Sequence, residues 1–534
     1  MQRSLWTSQR LNDGEPVQNM ALVSHIEGPV DAERLARAFA SVVASHDVLR
    51  TTIRRGVDGE RVELFAVDPS IDWLGLTEIV ALPLDEVDAM VTGRSRATLD
   101  MSRRGFDSVV VTHPDASCSW YLNLHHVITD ATSSALVFNA TAAAYFAADR
   151  PSAEAAGGES TTSYYAWVAN EFAAGAEVSR VRQRALRHWA ARPPAVELDR
   201  LYRAVDRRTS EDAPAGAAAR LPIELDSDLL ARTIKRLDGE FKLLSPDLSW
   251  TVLLTTALAV QLHRVSGADR FAIGMPVHHR GRPGTRDLIG LTMEVFPVDI
   301  VVEPDDTFAD LHARTGRAVI ETMRHAVPGT NPVADYSAVV NIIPRARQSR
   351  FGEHRATTRW IHPGVIDQSH LARLQMTRYD SGAEADGGRQ DTRLASDPEG
   401  VHDTFSFALD LAQRAADPSH RLPAIDHFVT ALRHLVDDPH KLIGAVALPT
   451  EAERDVLAEW GSGPPLVEAD TGDPATVIER LLTSLETRSD RALTDGQRHL
   501  SGRELASWIR RTAGWLIDQG ATPGSRVAVD LPRS

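Results

Sequence analysis

Residues 120–134 constrain the fold of this chain more than any other stretch. Trp120-Tyr121-Leu122-Asn123-Leu124 is an apolar run that alternates as a strand does. His125-His126-Val127-Ile128-Thr129-Asp130 follows, and the small, polar Ala131-Thr132-Ser133-Ser134 comes next. Two histidines therefore stand where a strand ends, with a carboxylate four residues past the second. Adjacent side chains on a strand point to opposite faces, so only one of the two can face a given cavity. The pattern suits one histidine poised as a base or hydrogen-bond partner, with its neighbour in support. A metal site would need several His, Cys or Asp side chains converging on a point. These histidines diverge and Cys118 is the single cysteine, so no metal is expected. A Ser-His-Asp hydrolase would need a Gly-x-Ser-x-Gly elbow, and the chain has none. Taken alone, the run leaves catalysis and simple packing about equally supported.

Other segments add an ordered set of motifs. Gln2-Arg3-Ser4-Leu5-Trp6, Ser45-His46-Asp47-Val48-Leu49-Arg50-Thr51-Thr52-Ile53, Tyr164-Tyr165-Ala166-Trp167, Phe271 to Arg280 with Gly274 and Pro276, and Ile289-Gly290 occur in that order around the histidine run. Together with His125-His126-x-x-x-Asp130 they resemble the core motifs of condensation domains of nonribosomal peptide synthetases. Those domains belong to the superfamily of chloramphenicol-acetyltransferase-like acyltransferases. The resemblance covers about 1–440. Local patterns agree. Leu35, Phe39, Val42 and Val43 recur at helical spacing after Asp31, a capping residue. Leu49 to Arg54 then switches to alternation, Phe271 to Val277 reads as a strand, and the mixture of strands and helices argues for an α/β chain.

A second resemblance begins near residue 448. Leu448 to Trp460 is similar to the linker that follows condensation domains. Ala492-Leu493-Thr494-Asp495-Gly496 and Leu500-Ser501-Gly502-Arg503-Glu504-Leu505 resemble the first strands and first core motif of adenylating enzymes. A helix is expected from Glu504 to Gln519, a turn at Gly520 to Gly524 and a strand start at Arg526 to Asp530. The sequence ends at Ser534, and its three lysines, Lys235, Lys242 and Lys441, all precede this region. The tail is therefore expected to be a truncated adenylation-domain piece, inactive alone. Exposed connections are expected at Pro151 to Thr162, Asp380 to Gly400 and Gly461 to Pro474.

Composition fits this reading. A hydrophobic fraction of 43% supports real cores. A net charge of −15 disfavours a nucleic-acid partner. The most apolar helix candidate, Thr251 to Leu262, is far short of a membrane span. Met1 to Arg10 has no hydrophobic signal region, and the single cysteine fits a reducing compartment, so the protein is expected to be cytoplasmic and monomeric.

The resemblance implies two acyltransferase-like α/β lobes in a V-shaped pseudo-dimer, 1–175 and 176–440. A linker would run over 441–475 and the adenylation piece over 476–534. It also implies a tunnel between the lobes, reached by donor and acceptor peptidyl carrier proteins that present substrates on phosphopantetheine arms, with no cofactor bound directly. The acceptor amine would attack the donor thioester carbonyl. His126 is the expected catalytic residue, acting as base or as positioning group, while His125 and Asp130 are expected to be structural, Asp130 pairing with Arg280. Two departures from the family pattern stand out: Ala131 where a glycine is usual, and Thr292-Met293-Glu294 where Phe-Val-Asn is usual. Ala131, Glu294 and Asn341 are candidate tunnel residues, although Glu294 also reads as an outward-facing strand residue. The alternatives are a catalytically silent docking domain and an epimerising or ester-forming relative.

Overall fold

The computed structural model describes residues 2–56, 59–65, 73–147, 163–172, 176–198, 201–202, 216–281, 284–331, 335–346, 350–367, 369–379, 392–393, 404–462, 477–495 and 498–527. They form two compact units, Met1–Arg454 and Asp455–Ser534.

The first unit is a mixed α/β structure built on two large sheets. The first sheet has the strand order Arg350–Phe351, His354–Ile361, Asn19–Ile26, Cys118–His125, Phe106–Thr112, Glu78–Ala81. Helices Ala32–Ser45 and Ala131–Ala147 supply Leu35, Phe39, Val43, Val137 and Phe138 to the core, where they meet Leu22, Trp120, Leu122 and Leu124. The first of these helices starts where the sequence places it: the Asp31 carboxylate accepts the Arg34 N–H at 3.0 Å. Every residue of the Cys118–His125 strand is buried.

The second sheet has the order Thr392–Arg393, Thr404–Ala412, Ala372–Tyr379, Ala338–Ala346, Arg270–His278, Met293–Val301, with Ala218–Ile223 also paired to Thr404–Ala412. Its core is filled by helices Ser227–Asp238, Pro246–Ser266, Phe308–His325 and Arg421–Asp437. The Pro246–Ser266 helix begins under a Ser245 cap and ends at Gly267, whose left-handed backbone (φ 73°) closes the last turn.

Three features of the architecture go beyond the sequence pattern. Residues 350–361 return from the second half of the chain to the first sheet, where Ile361 pairs with Ala21. Leu288, Ile289 and Leu291 are buried in the core of the first sheet. The linker expected from residue 441 starts later, because Ile443, Val446 and Leu448 are buried in the core of the second sheet. The loop expected at Asp380 to Gly400 contains the short strand Thr392–Arg393, and its other residues lie outside the described ones, as do 151–162 and 463–474.

The second unit contains helix Val477–Thr487, strands Arg491–Asp495 and Arg498–Ser501 paired antiparallel, and helix Gly502–Asp518. Ser501 and Glu504 form a capping box at the start of the last helix. The expected strand start at 526–530 falls partly outside the described residues, and Arg526 and Val527 are not in a strand.

Candidate active site

The strand carrying the histidines is pinned at its end from both sides. His125 N–H donates to Gly105 O and His126 N–H to Gln18 O, each at 2.8 Å. The chain then turns tightly, Ile128 N–H reaching His125 O at 2.9 Å, and Asp130 caps the Ala131–Ala147 helix by accepting the Ser133 N–H at 2.8 Å.

The two histidines diverge. His126 lines a cavity of about 100 Å³ between the two sheets, together with Ala131, His278, Asn341, Arg220, Arg373 and Gln375 among others. Its Nδ1 lies 2.8 Å from Thr129 O. A carbonyl can only accept, so Nδ1 carries the proton and Nε2 keeps the lone pair. Burial pushes the His126 imidazolium below its ordinary range, the Thr129 carbonyl and Asp130 opposing and Arg373 adding to the fall. His125 points away. Its Nδ1 accepts the Val127 N–H at 3.1 Å, its ring lies 6.0 Å from that of Trp6, and burial lowers its pKa to about 3.

Asp130 does not touch the cavity. It is fully buried and accepts five hydrogen bonds: from Arg280 Nη2 at 2.9 and 3.0 Å, Ser133 N–H at 2.8 Å, Thr292 N–H at 3.0 Å and Thr292 Oγ1 at 2.9 Å. Burial alone would raise its pKa, yet Arg280, His278 and these N–H donors hold it below the usual carboxylate value. Arg280 also donates to Leu288 O at 2.6 Å, and Ser133 bridges the N–H and C=O of Gly290 at 2.9 and 2.7 Å. Tyr164 Oη donates to Leu291 O at 2.8 Å. The motifs read separately in the sequence thus converge on one junction behind His126.

The segment 292–294 divides between different surroundings. Thr292 joins the Asp130 cluster and Met293 lines the cavity. Glu294 neither lines this cavity nor faces outward: it is buried, accepts the Gly329 N–H at 2.7 Å and lies 3.3 Å from His279 Nε2. Strand alternation is the reason, since Met293 and Glu294 must take opposite faces. Ala131 and Asn341 do line the cavity.

Sequence reading missed Arg220, Arg373 and Asp410. Asp410 is fully buried, and both arginines bind it. One signal was available: Asp410 interrupts the apolar run Phe405-Ser406-Phe407-Ala408-Leu409, a position where a carboxylate needs a partner. Away from the cavity, His188, Glu321 and His325 bring ligand atoms within 4.8 Å of one another. The two imidazoles are stacked, 3.8 Å apart at 8°, so their lone pairs lie in two separate, nearly parallel planes, a poor geometry for meeting at one ion.

A family model described as the condensation domain matches residues 1–458. The chain belongs to the condensation-domain family. Condensation domains of peptide synthetases catalyse peptide-bond formation, an acyl transfer, on substrates carried by phosphopantetheine. This condensation domain is 24% identical over 558 residues to a linear gramicidin synthase of Brevibacillus parabrevis, covering 100% of this chain and 7% of the relative. It is 28% identical over 549 residues to phosphinothricin tripeptide synthetase PhsC of Streptomyces viridochromogenes, covering 99% and 47%. The chain thus spans less than half the length of these curated relatives. The first condensation domain of the calcium-dependent antibiotic synthetase superposes with a TM-score of 0.62 at 19% identity, over 84% of this chain and 98% of that one. The complex of the X-domain and OxyB from teicoplanin biosynthesis gives 0.63 at 16%, over 84% and 96%. These likenesses establish the fold, a pseudo-dimer of two α/β lobes.

Proposed function

We propose that this condensation domain joins a carrier-bound donor acyl or aminoacyl thioester to the amine of a carrier-bound aminoacyl thioester, with His126 as the catalytic residue. The observation that carries the reading is the state of His126: Nδ1–H is held by Thr129 O, so the Nε2 lone pair is the one left to meet substrate in the cavity. Burial keeps the ring neutral at pH 7. The acceptor nitrogen attacks the donor carbonyl, a C–N bond forms, and the C–S bond breaks to release the donor carrier's thiolate. His126 Nε2 accepts a hydrogen bond from the attacking amine, orienting it, and takes the proton that the thiolate finally receives. His125, Asp130 and Arg280 fix the turn that aims His126. Donor and acceptor carrier proteins are the partners, the lobes run over 1–175 and 176–440 with the buried residues Ile443, Val446 and Leu448 closing the second, and the protein works as a cytoplasmic monomer. Among the described residues no helix is long and apolar enough to cross a membrane.

Residues 476–534 are read as the opening part of an adenylation domain. Val477, Trp515 and Ile517 are 81%, 60% and 67% exposed, as expected of helices whose packing partners belong to the rest of such a domain. Alignment with the multidomain synthetases extends over the whole chain, which supports the same reading.

Single-turnover transfer between loaded carriers, followed by mass spectrometry of the acceptor carrier, tests the main reading. The native protein is expected to add the donor mass to the acceptor, and His126→Ala to slow this by about a hundredfold or more. Transfer that is unaffected by His126→Ala would sink the assignment. Carriers that bind without any transfer would favour a docking role, for which the X-domain bound to OxyB offers the structural parallel.

A further inference from the structure

We infer that the cavity around His126 selects a substrate group bearing a carboxylate, which Arg220 and Arg373 bind. The inference rests on the condensation reading above and names its substrate class. Among the described side chains lining the cavity, Arg220 and Arg373 are the ones that carry charge at neutral pH. His126, His278 and His362 line it too, but burial holds each below its ordinary pKa.

The charge is built by strand register. Arg373, Asp410 and Arg220 are direct partners across three neighbouring strands, with the aspartate in the middle. Asp410 accepts from Arg220 Nε and Nη2 at 2.7 and 2.9 Å and from Arg373 Nε at 2.9 Å, and it forms an ion pair with Arg373 Nη2 at 2.8 Å. One bidentate arginine already neutralises one carboxylate. The second leaves a net positive charge at the cavity wall, where desolvation makes an uncompensated cation costly. The arrangement is stable when an anion completes it. Both arginine side chains stay open to that anion, 23% and 28% exposed, while Asp410 is sealed beneath them at 0%. Gln375 reinforces the polarity: its Oε1 is taken by Arg220 Nη2 at 3.2 Å, so its amide has N–H donors left to offer. A carboxylate on the acyl or aminoacyl group fits this wall, whereas a basic side chain is repelled.

The test measures single-turnover transfer with matched loaded carriers: succinyl against butyryl donors, and glutamyl against glutaminyl acceptors. Each pair shares the same phosphopantetheine arm, so a cation that reads only the arm's phosphate would give no preference. The native protein is expected to prefer the carboxylate member of one pair by about tenfold or more. In Arg373→Gln, which leaves the matched Arg220–Asp410 pair and so a balanced charge, the ratio is expected to fall towards one. Equal rates within both pairs for native protein would overturn the inference while leaving condensation intact. A native preference that survives in both Arg373→Gln and Arg220→Gln would also overturn it. No transfer with any carrier pair would instead count against the condensation reading itself, and the inference would fall with it.

Discussion

At the scale of single residues, His126 and Asp130 lie four positions apart and do opposite jobs. Asp130 and Arg280 are an ion pair whose charged atoms are nearly sealed, the aspartate side chain 0% and the arginine 10% exposed. Such a pair adds little net stability when whole, but removing one partner strands the other charge and costs about 3–5 kcal/mol. Asp130→Asn is therefore expected to lower Tm by roughly 3–5 °C for a chain of this size, because the unfolding entropy that divides the energy grows with length. His126→Ala removes a partly exposed ring at the cavity and should shift Tm by no more than about 1 °C, while taking most of the rate. Thermal unfolding of the two variants side by side checks the division of labour. If His126→Ala melts as early as Asp130→Asn, His126 is part of the scaffold and its loss of activity says nothing about chemistry.

At the scale of elements, the critical join is between the 288–292 segment and the helix at 164–172. Gly290 has φ 145°, and a Cβ there would lie 2.1 Å from the Tyr164 ring. Gly290→Ala is expected to destabilise strongly, and Tyr164→Ala to do so by loss of buried ring area and of its bond to Leu291 O. In the double variant the clash is gone, so its cost is expected to fall short of the sum by about 1–3 kcal/mol. Additive urea-unfolding energies would show that the two elements do not press on each other. The residues of this join entered the sequence reading through the family resemblance, whose motifs include Asp130, Tyr164 and Gly290, whereas the cap that Asp130 forms on the next helix was not read from the sequence. What else was not legible depends on pairing between distant strands. Arg220 and Asp410 meet across 190 residues, and residues 350–361 cross to the first sheet; neither follows from local pattern. Glu294, buried and not lining the His126 cavity, was illegible for a different reason. Its face is set by strand phase, and a shift of one position exchanges cavity for core.

At the scale of the whole molecule, the histidines give a pH dependence of stability that involves more than the site. Burial lowers the pKa of His125 to about 3, of His312 to about 4 and of His362 to about 3, from about 6.5 in an unfolded chain. The sign follows from proton counts. Above pH ~6.5 both states hold these rings neutral and there is no effect. As the pH falls below that, the unfolded chain binds protons that the folded chain refuses, so stability is lost on acidification, by up to about 1.4 kcal/mol per pH unit for each ring. Asp130, whose pKa is lowered in the folded state, acts in a separate window: its contribution is present above the unfolded value of about 3.9 and is lost only below it. Glu321, Glu453 and Glu504, also lowered in the folded state, begin to contribute as the pH nears their unfolded value of about 4.5, so the interval from pH 6.5 to 5.5 isolates the histidines. Urea unfolding across it is expected to show a midpoint that falls steadily with pH. His312 offers a clean subtraction, because it lies outside the His126 cavity and stacks on Phe241 with ring centroids 4.2 Å apart. His312→Phe keeps a stacked ring and removes the titration, so its stability is expected to fall less steeply with acid, by up to about 1.4 kcal/mol per pH unit. Parallel slopes for the native protein and His312→Phe would mean that this ring takes up its proton in the folded state as readily as in the unfolded chain.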